Sequence, residues 1–150
     1  MQYIKADIHL AKEIHRIVSE TIQTVYPNYY PSEVVDFFRS LHSEEHIKQD
    51  IADGRVYALF DKDILVGTGS LNENHITRVY VLPKYQGRGY GTYMINHLEN
   101  KVKRNYDSAV LDASLPAVML YEKLGYKTVN HQRYELKDAV LVYEIMKKQL

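Results

Sequence analysis

Three glycines, Gly87, Gly89 and Gly91, alternate with other residues between an apolar run and an amphipathic one. Before them, Ile76 to Leu82 is rich in apolar and β-branched residues and stops at Pro83, which cannot donate to a sheet ladder. After them, Tyr90, Met94, Ile95, Leu98 and Val102 recur at the spacing of a helix face. The order is strand, glycine-rich turn, helix. Glycines let the main chain turn tightly and bare consecutive N–H groups. A helix start adds further unpaired N–H groups at the positive end of its dipole. The chemistry such a turn can do is to grip a phosphate or diphosphate. Two common phosphate motifs are excluded. Gly87-Arg-Gly89-Tyr-Gly91-Thr92 does not fit G-x-G-x-x-G, and no Gly-Lys-Ser/Thr is present to close a P-loop.

The ordered set Gln86-Gly87-Arg88-Gly89-Tyr90-Gly91 resembles the acyl-CoA-binding motif Q/R-x-x-G-x-G/A of the GCN5-related N-acetyltransferases, the GNAT superfamily. Val81-Leu82-Pro83, starting five residues before the glutamine, fits the V-x-P of that family. A second stretch, Ser114 to Tyr126, resembles N-x-x-A-x-x-L-Y-x-x-x-G-F/Y, with Ala117, Leu120, Tyr121, Gly125 and Tyr126 matching. Ser114 stands where the family usually has asparagine, and a hydroxyl offers shorter reach and fewer groups than an amide.

The resemblance implies an acetyl-CoA-dependent N-acetyltransferase with no metal. It places the diphosphate on Gln86, Gly87, Arg88, Gly89, Tyr90, Gly91 and Thr92, with Ser114 and Ala117 on the coenzyme arm. The main chain of Val79, Tyr80 and Val81 would pair with the pantetheine amides like an added strand. A splayed or bulged strand there would also aim an N–H at the thioester carbonyl as it gains negative charge. Tyr121 is the residue that would protonate, or hydrogen-bond, the departing thiolate.

An acceptor amine with a pKa near 10.4 is mostly protonated at neutral pH and must lose a proton before it attacks. Some family members carry a glutamate base six residues before the valine of V-x-P, and here that position is His75, whose intrinsic pKa suits the task. Glu73 and a route through water are the other readings. Tyr29 and Tyr30, in Pro27-Asn-Tyr-Tyr-Pro31, sit where the family walls its acceptor cleft. The acceptor is a small-molecule or peptide amine, and the alternative function is a non-catalytic acyl-CoA sensor of the same fold.

The elements that must hold these residues follow from periodicity. Tyr3-Ile4-Lys5 reads as a strand, and Asp7 is placed to cap a helix carrying Ile8, Ala11, Ile14, Val18, Ile22 and Val25. Ser32 and Ser43 are placed to cap two further helices, the second ending at Asp53-Gly54. Then the period changes to two. Residues 55–60, 64–71 and 75–82 read as an antiparallel meander. A helix at about 90–104 followed by a strand at Ala109–Asp112 makes a crossover, so those two strands pair in parallel. A second helix starts near Pro116 and stops at Gly125. Two strands, Tyr126–Arg133 and Ala139–Met146, close the chain. The fold expected is α/β (α+β): a mixed, mostly antiparallel sheet of about six to seven strands flanked by helices, with the glycine turn as its acyl-CoA pyrophosphate loop.

Composition sets outer limits. A chain of 150 residues with 45% hydrophobic and 25% charged residues has the makeup of one globular domain, residues 1–150. A formal net charge of zero argues against a nucleic-acid partner held by charge. The absence of cysteine excludes disulfides, thiolate zinc sites and a cysteine acyl carrier. Met1-Gln-Tyr-Ile-Lys-Ala-Asp lacks the basic-then-apolar signal pattern, and no run is long enough to span a bilayer. A cytoplasmic location is therefore expected, without a membrane partner, and an edge-strand homodimer is compatible with the pattern.

Overall fold

A computed structural model describes residues 1–150. Seven strands form one sheet in the order β1-β2-β3-β4-β5-β7-β6. They are β1 (Gln2–Lys5), β2 (Val56–Asp61), β3 (Ile64–Asn72), β4 (His75–Val81), β5 (Ser108–Ala113), β6 (Lys127–Glu135) and β7 (Val140–Gln149). All neighbours are antiparallel except β4 and β5. The meander and the single parallel junction are therefore as the sequence predicts.

Helices cover both faces. α1 (Ala11–Val25), α2 (Ser32–Leu41) and α3 (Glu44–Ala52) pack on one, and α4 (Tyr90–Val102) with the short α5 (Val118–Lys123) on the other. The first core joins Ile14, Ile17, Val18 and Ile22 of α1 to Val56, Ala58, Leu65, Tyr80 and Leu141 of the sheet. The second joins Ile95, Leu98 and Val102 of α4 to Ile76, Ala109, Leu111 and Met146. Side chains alternate across a strand, so Ile76 and Leu111 facing α4 turn His75 and Asp112 toward the α1–α3 side.

Three cap assignments shift. Asp7 accepts from the His9 N–H and starts a 3₁₀ turn, Ile8–Leu10, with the α-helix beginning only at Ala11. Pro31, in extended conformation, stands at the cap of α2, and Ser32 is its first residue. Pro116 lies in a 3₁₀ turn ahead of α5. Ser43 does cap α3, accepting from the His46 N–H.

Two irregularities open the sheet. The parallel ladder between β4 and β5 has only two pairs, His75↔Val110 and Ile76↔Leu111, although both strands continue beyond it. On the other side of β4, Thr68 pairs with Tyr80 and Ser70 with Thr77. Arg78 and Val79 thus oppose Gly69 alone, a β-bulge, with Arg78 at φ 49°. β4 is bent at the point where it parts from β5.

Candidate active site

The parting strands open a cavity of about 660 Å³. Its floor is the bulged stretch Thr77–Val81, one end is the glycine turn, and the far walls come from α1, α2, α5 and β7. At the glycine end, Gly87 (φ 76°) and Gly89 (φ 86°) are left-handed. A Cβ built on either meets no heavy atom within 4 Å. The space above these glycines is therefore free for a ligand that must approach the main chain closely. Gly89 caps α4 without a side-chain partner, which leaves the first N–H groups of that helix for an anion. The Gln86 side chain reaches back, its Nε2 donating to the Val81 carbonyl at 3.0 Å and tying the turn to the strand. A diphosphate fits this cradle. A flat arm of amides fits the strand edge left unpaired beyond Ile76.

Tyr121 is buried at the cavity wall, where lost solvation pushes its hydroxyl above the ordinary range, with Tyr26 adding to the effect. Its neighbours form a hydroxyl network. The Tyr26 hydroxyl lies 3.1 Å from that of Tyr80 and 3.0 Å from Ser114 Oγ. The Ser114 hydroxyl, standing where the motif carries an amide, is thus engaged by α1's far end.

Of the residues singled out from sequence, the cavity brings together Tyr121, Val79, Tyr80, Val81, Gln86, Gly87, Gly89, Tyr90, Gly91, Thr92, Ser114 and Ala117. Four lie outside its lining. Arg88 is exposed, its Nη2 donating to the Lys84 carbonyl at 3.4 Å. Tyr29 is exposed on the surface. Tyr30 is buried and structural, its hydroxyl accepting from the Leu115 N–H at 2.7 Å. His75 stands behind the wall, with Nε2 3.4 Å from Asp112 Oδ1. The Asp112 carboxylate, an acceptor for the protonated ring, raises the pKa of His75 against the opposing effect of burial.

Sequence reasoning missed Asp112, Arg78, His42, Tyr26, Phe37 and Phe38, all of which line the cavity. Asp112 carried a signal, a charge within the apolar run Ala109-Val-Leu-Asp-Ala. The others carried none, because they reach the site through tertiary packing. Arg78 turns into the α2–α3 corner. Its Nε donates to His42 Nδ1 at 3.1 Å and its Nη1 lies 2.8 Å from Asp50 Oδ2. Burial, with Arg78 and then His46 nearby, pushes the His42 imidazole down to about 3. His42 therefore stays neutral at ordinary pH and is too weak a base to take a proton from an ammonium.

A splayed parallel pair beside a glycine-capped helix, with a buried phenol across the gap, is an arrangement that suits an acyl-CoA-dependent transferase. The family comparison agrees: the acetyltransferase (GNAT) domain matches residues 25–149, and the chain belongs to that family. The curated relatives include the uncharacterized N-acetyltransferase YafP of Escherichia coli (strain K12), 30% identical over 64% of this chain and 61% of its own length. An uncharacterized acetyltransferase from the arcA 3' region of Streptococcus pyogenes is 33% identical over 53% of this chain and 60% of its own. The chain thus spans about three fifths of these relatives. Among solved structures, a GCN5-related N-acetyltransferase (aminotransferase, class-II) from Rhodopseudomonas palustris superposes with a TM-score of 0.90 at 24% identity, covering 99% of this chain and 95% of that one. The PaiA N-acetyltransferase from Thermoplasma acidophilum, solved in complex with coenzyme A, gives 0.78 at 18% identity over 99% and 98%. At these identities the likeness is one of fold.

Proposed function

We propose that residues 1–150 act as one catalytic domain that transfers an acetyl group directly from acetyl-CoA to a primary amine of a small-molecule or peptide acceptor. The observation carrying this reading is the β4–β5 gap, which ends at a glycine turn whose Cβ positions are open. The turn and the start of α4 hold the diphosphate, and the main chain of Val79–Val81 holds the pantetheine arm. In the reaction the amine nitrogen bonds to the thioester carbonyl carbon and the C–S bond breaks. The sulfur takes the electron pair and a proton, and the nitrogen gives one up.

The bulge takes Arg78 and Val79 out of the regular register, which supports charge stabilisation of the carbonyl oxygen by main-chain N–H groups of this strand. Tyr121 supports the sulfur. A phenol pushed above its usual value of about 10 is a weaker acid than a thiol near 8.5, so Tyr121 works by hydrogen-bonding the emerging thiolate more than by surrendering its proton. His75 reaches the cavity only through Asp112, which makes it a positioning group behind that carboxylate and leaves deprotonation of the amine to water in the cleft.

The test is twofold. Calorimetry should show acetyl-CoA binding in preference to ATP and NAD, and a thiol reagent should register steady release of free coenzyme when an amine panel is supplied. Binding without release with every amine establishes a sensor and ends the transferase reading.

A further inference from the structure

The cavity's charge inventory narrows the acceptor. Among its lining residues, Asp112 is the only carboxylate. The two basic side chains there are already spent, Arg78 on Asp50 and His42, and His42 on Arg78. Asp112 sits on β5 opposite Ile145 of β7, on the sheet face turned toward α1–α3. It flanks the point where β4 and β5 part, next to Thr77 and the bulge. His75 touches only its Oδ1, and its second oxygen makes no hydrogen bond within the chain. One negative group therefore stands beside the gap in which the transferase reading seats the thioester.

The space beyond it is aromatic. Phe37 and Tyr134 stack face to face at 5.2 Å between ring centres, Phe38 lies edge-on to Tyr26 at 4.9 Å, and Tyr143 closes the β7 side. Several rings with no second carboxylate fit a body of one charge and apolar bulk. They do not fit a polyamine or a multiply charged aminosugar, which would leave ammonium groups unpaired against apolar walls.

Building on the transferase reading, we propose that the acceptor is a small arylalkyl monoamine, with its ammonium on Asp112 and its ring among Phe37, Phe38, Tyr134 and Tyr143. Asp112 collects the charged form from solution and holds its nitrogen at the mouth of the gap. The aromatic walls select the body. A peptide amine is disfavoured because a chain leaving the α-carbon would carry main-chain amides against Phe37 and Phe38, which offer them no partners.

The experiment uses the intact protein and four probes: 2-phenylethylamine, n-butylamine, spermidine and the dipeptide amide Phe-Gly-NH₂. Calorimetry on coenzyme-A-saturated protein measures amine binding without turnover, and coenzyme release gives kcat/KM. 2-Phenylethylamine is expected to bind, with kcat/KM at least about tenfold above n-butylamine and spermidine, the yield of burying one ring, and also above Phe-Gly-NH₂, which carries the same ring but must desolvate two main-chain amides. Asp112→Asn is expected to raise the KM for 2-phenylethylamine roughly ten- to hundredfold, the worth of a charge-assisted hydrogen bond, with a much smaller change in kcat and the same acetyl-CoA affinity. Tyr134→Ala, at a half-exposed position, should narrow the phenylethylamine-to-butylamine ratio. No calorimetric binding of 2-phenylethylamine, a preference for spermidine or the peptide, or an unchanged KM in Asp112→Asn overturns the proposal. Amine binding without any coenzyme release overturns the transferase reading instead, while leaving the subsite in place.

Discussion

The most informative single atoms in this site are hydroxyls and ring nitrogens whose proton affinities the fold has moved. Tyr121→Phe removes only an oxygen from a buried ring. It should lower kcat roughly ten- to hundredfold while leaving acetyl-CoA affinity nearly intact, since one transition-state hydrogen bond is lost. Unchanged turnover with chemistry rate-limiting would take Tyr121 out of the reaction. His42 gives a stability test with a definite sign. Its imidazole sits at about 3 in the folded chain and near 6.5 when unfolded. Above pH 6.5 it contributes nothing to pH dependence. Below that the unfolded chain binds a proton the folded one refuses, so stability falls by up to about 1.4 kcal/mol per pH unit down toward pH 3. His42→Gln keeps an acceptor for Arg78 and should flatten that loss, read by urea unfolding at pH 7 and pH 5. At this scale the sequence was half legible. Tyr121 and the glycines stand in ordered motifs, whereas Arg78 and His42 meet only because α2 and a bulged strand are brought together from 36 positions apart.

Among the elements, the turn between β4 and α4 decides whether coenzyme binds. Gly89→Val puts a branched side chain into the open cradle and onto a left-handed main chain (φ 86°). Strain there costs about 1–3 kcal/mol, a loss a folded domain can survive. Acetyl-CoA binding should disappear in calorimetry while near-UV circular dichroism stays native-like, and normal affinity would put the coenzyme elsewhere. The strands, helices and the parallel junction were readable because periods of two and 3.6 are written into neighbouring residues. The bulge was expected only through the family resemblance. Nothing in Thr77-Arg-Val-Tyr by itself says that two residues will face one, because a bulge is set by the partner strand, here by Gly69, which offers no side chain to pack. The 3₁₀ turns at Ile8–Leu10 and Leu115–Ala117 escaped for a related reason: they share the composition of a helix start and differ only in how tightly the chain winds.

For the molecule as a whole, the two sheet halves on either side of the β4–β5 gap must be held by something other than a ladder. One tie is polar. Glu99 of α4, nearly inaccessible, accepts from the Tyr126 hydroxyl at 3.0 Å and from Lys148 Nζ of β7 at 3.1 Å. Lys148→Met leaves that carboxylate short of its counter-charge and should cost roughly 2–4 kcal/mol in urea unfolding. A cost near zero would mean Tyr126 alone satisfies Glu99. None of this was visible in the sequence, where Glu99 and Lys148 look like ordinary surface charges on amphipathic elements. The short junction carries one more implication. With two rungs joining β4 to β5, the empty protein is a book with a narrow spine, and a coenzyme lying between its pages would stitch both covers together. Occupancy and mechanical integrity then become the same quantity: saturating coenzyme should raise the melting temperature and slow amide exchange at Thr77–Val81 and Asp112–Ser114 together, as one leaf.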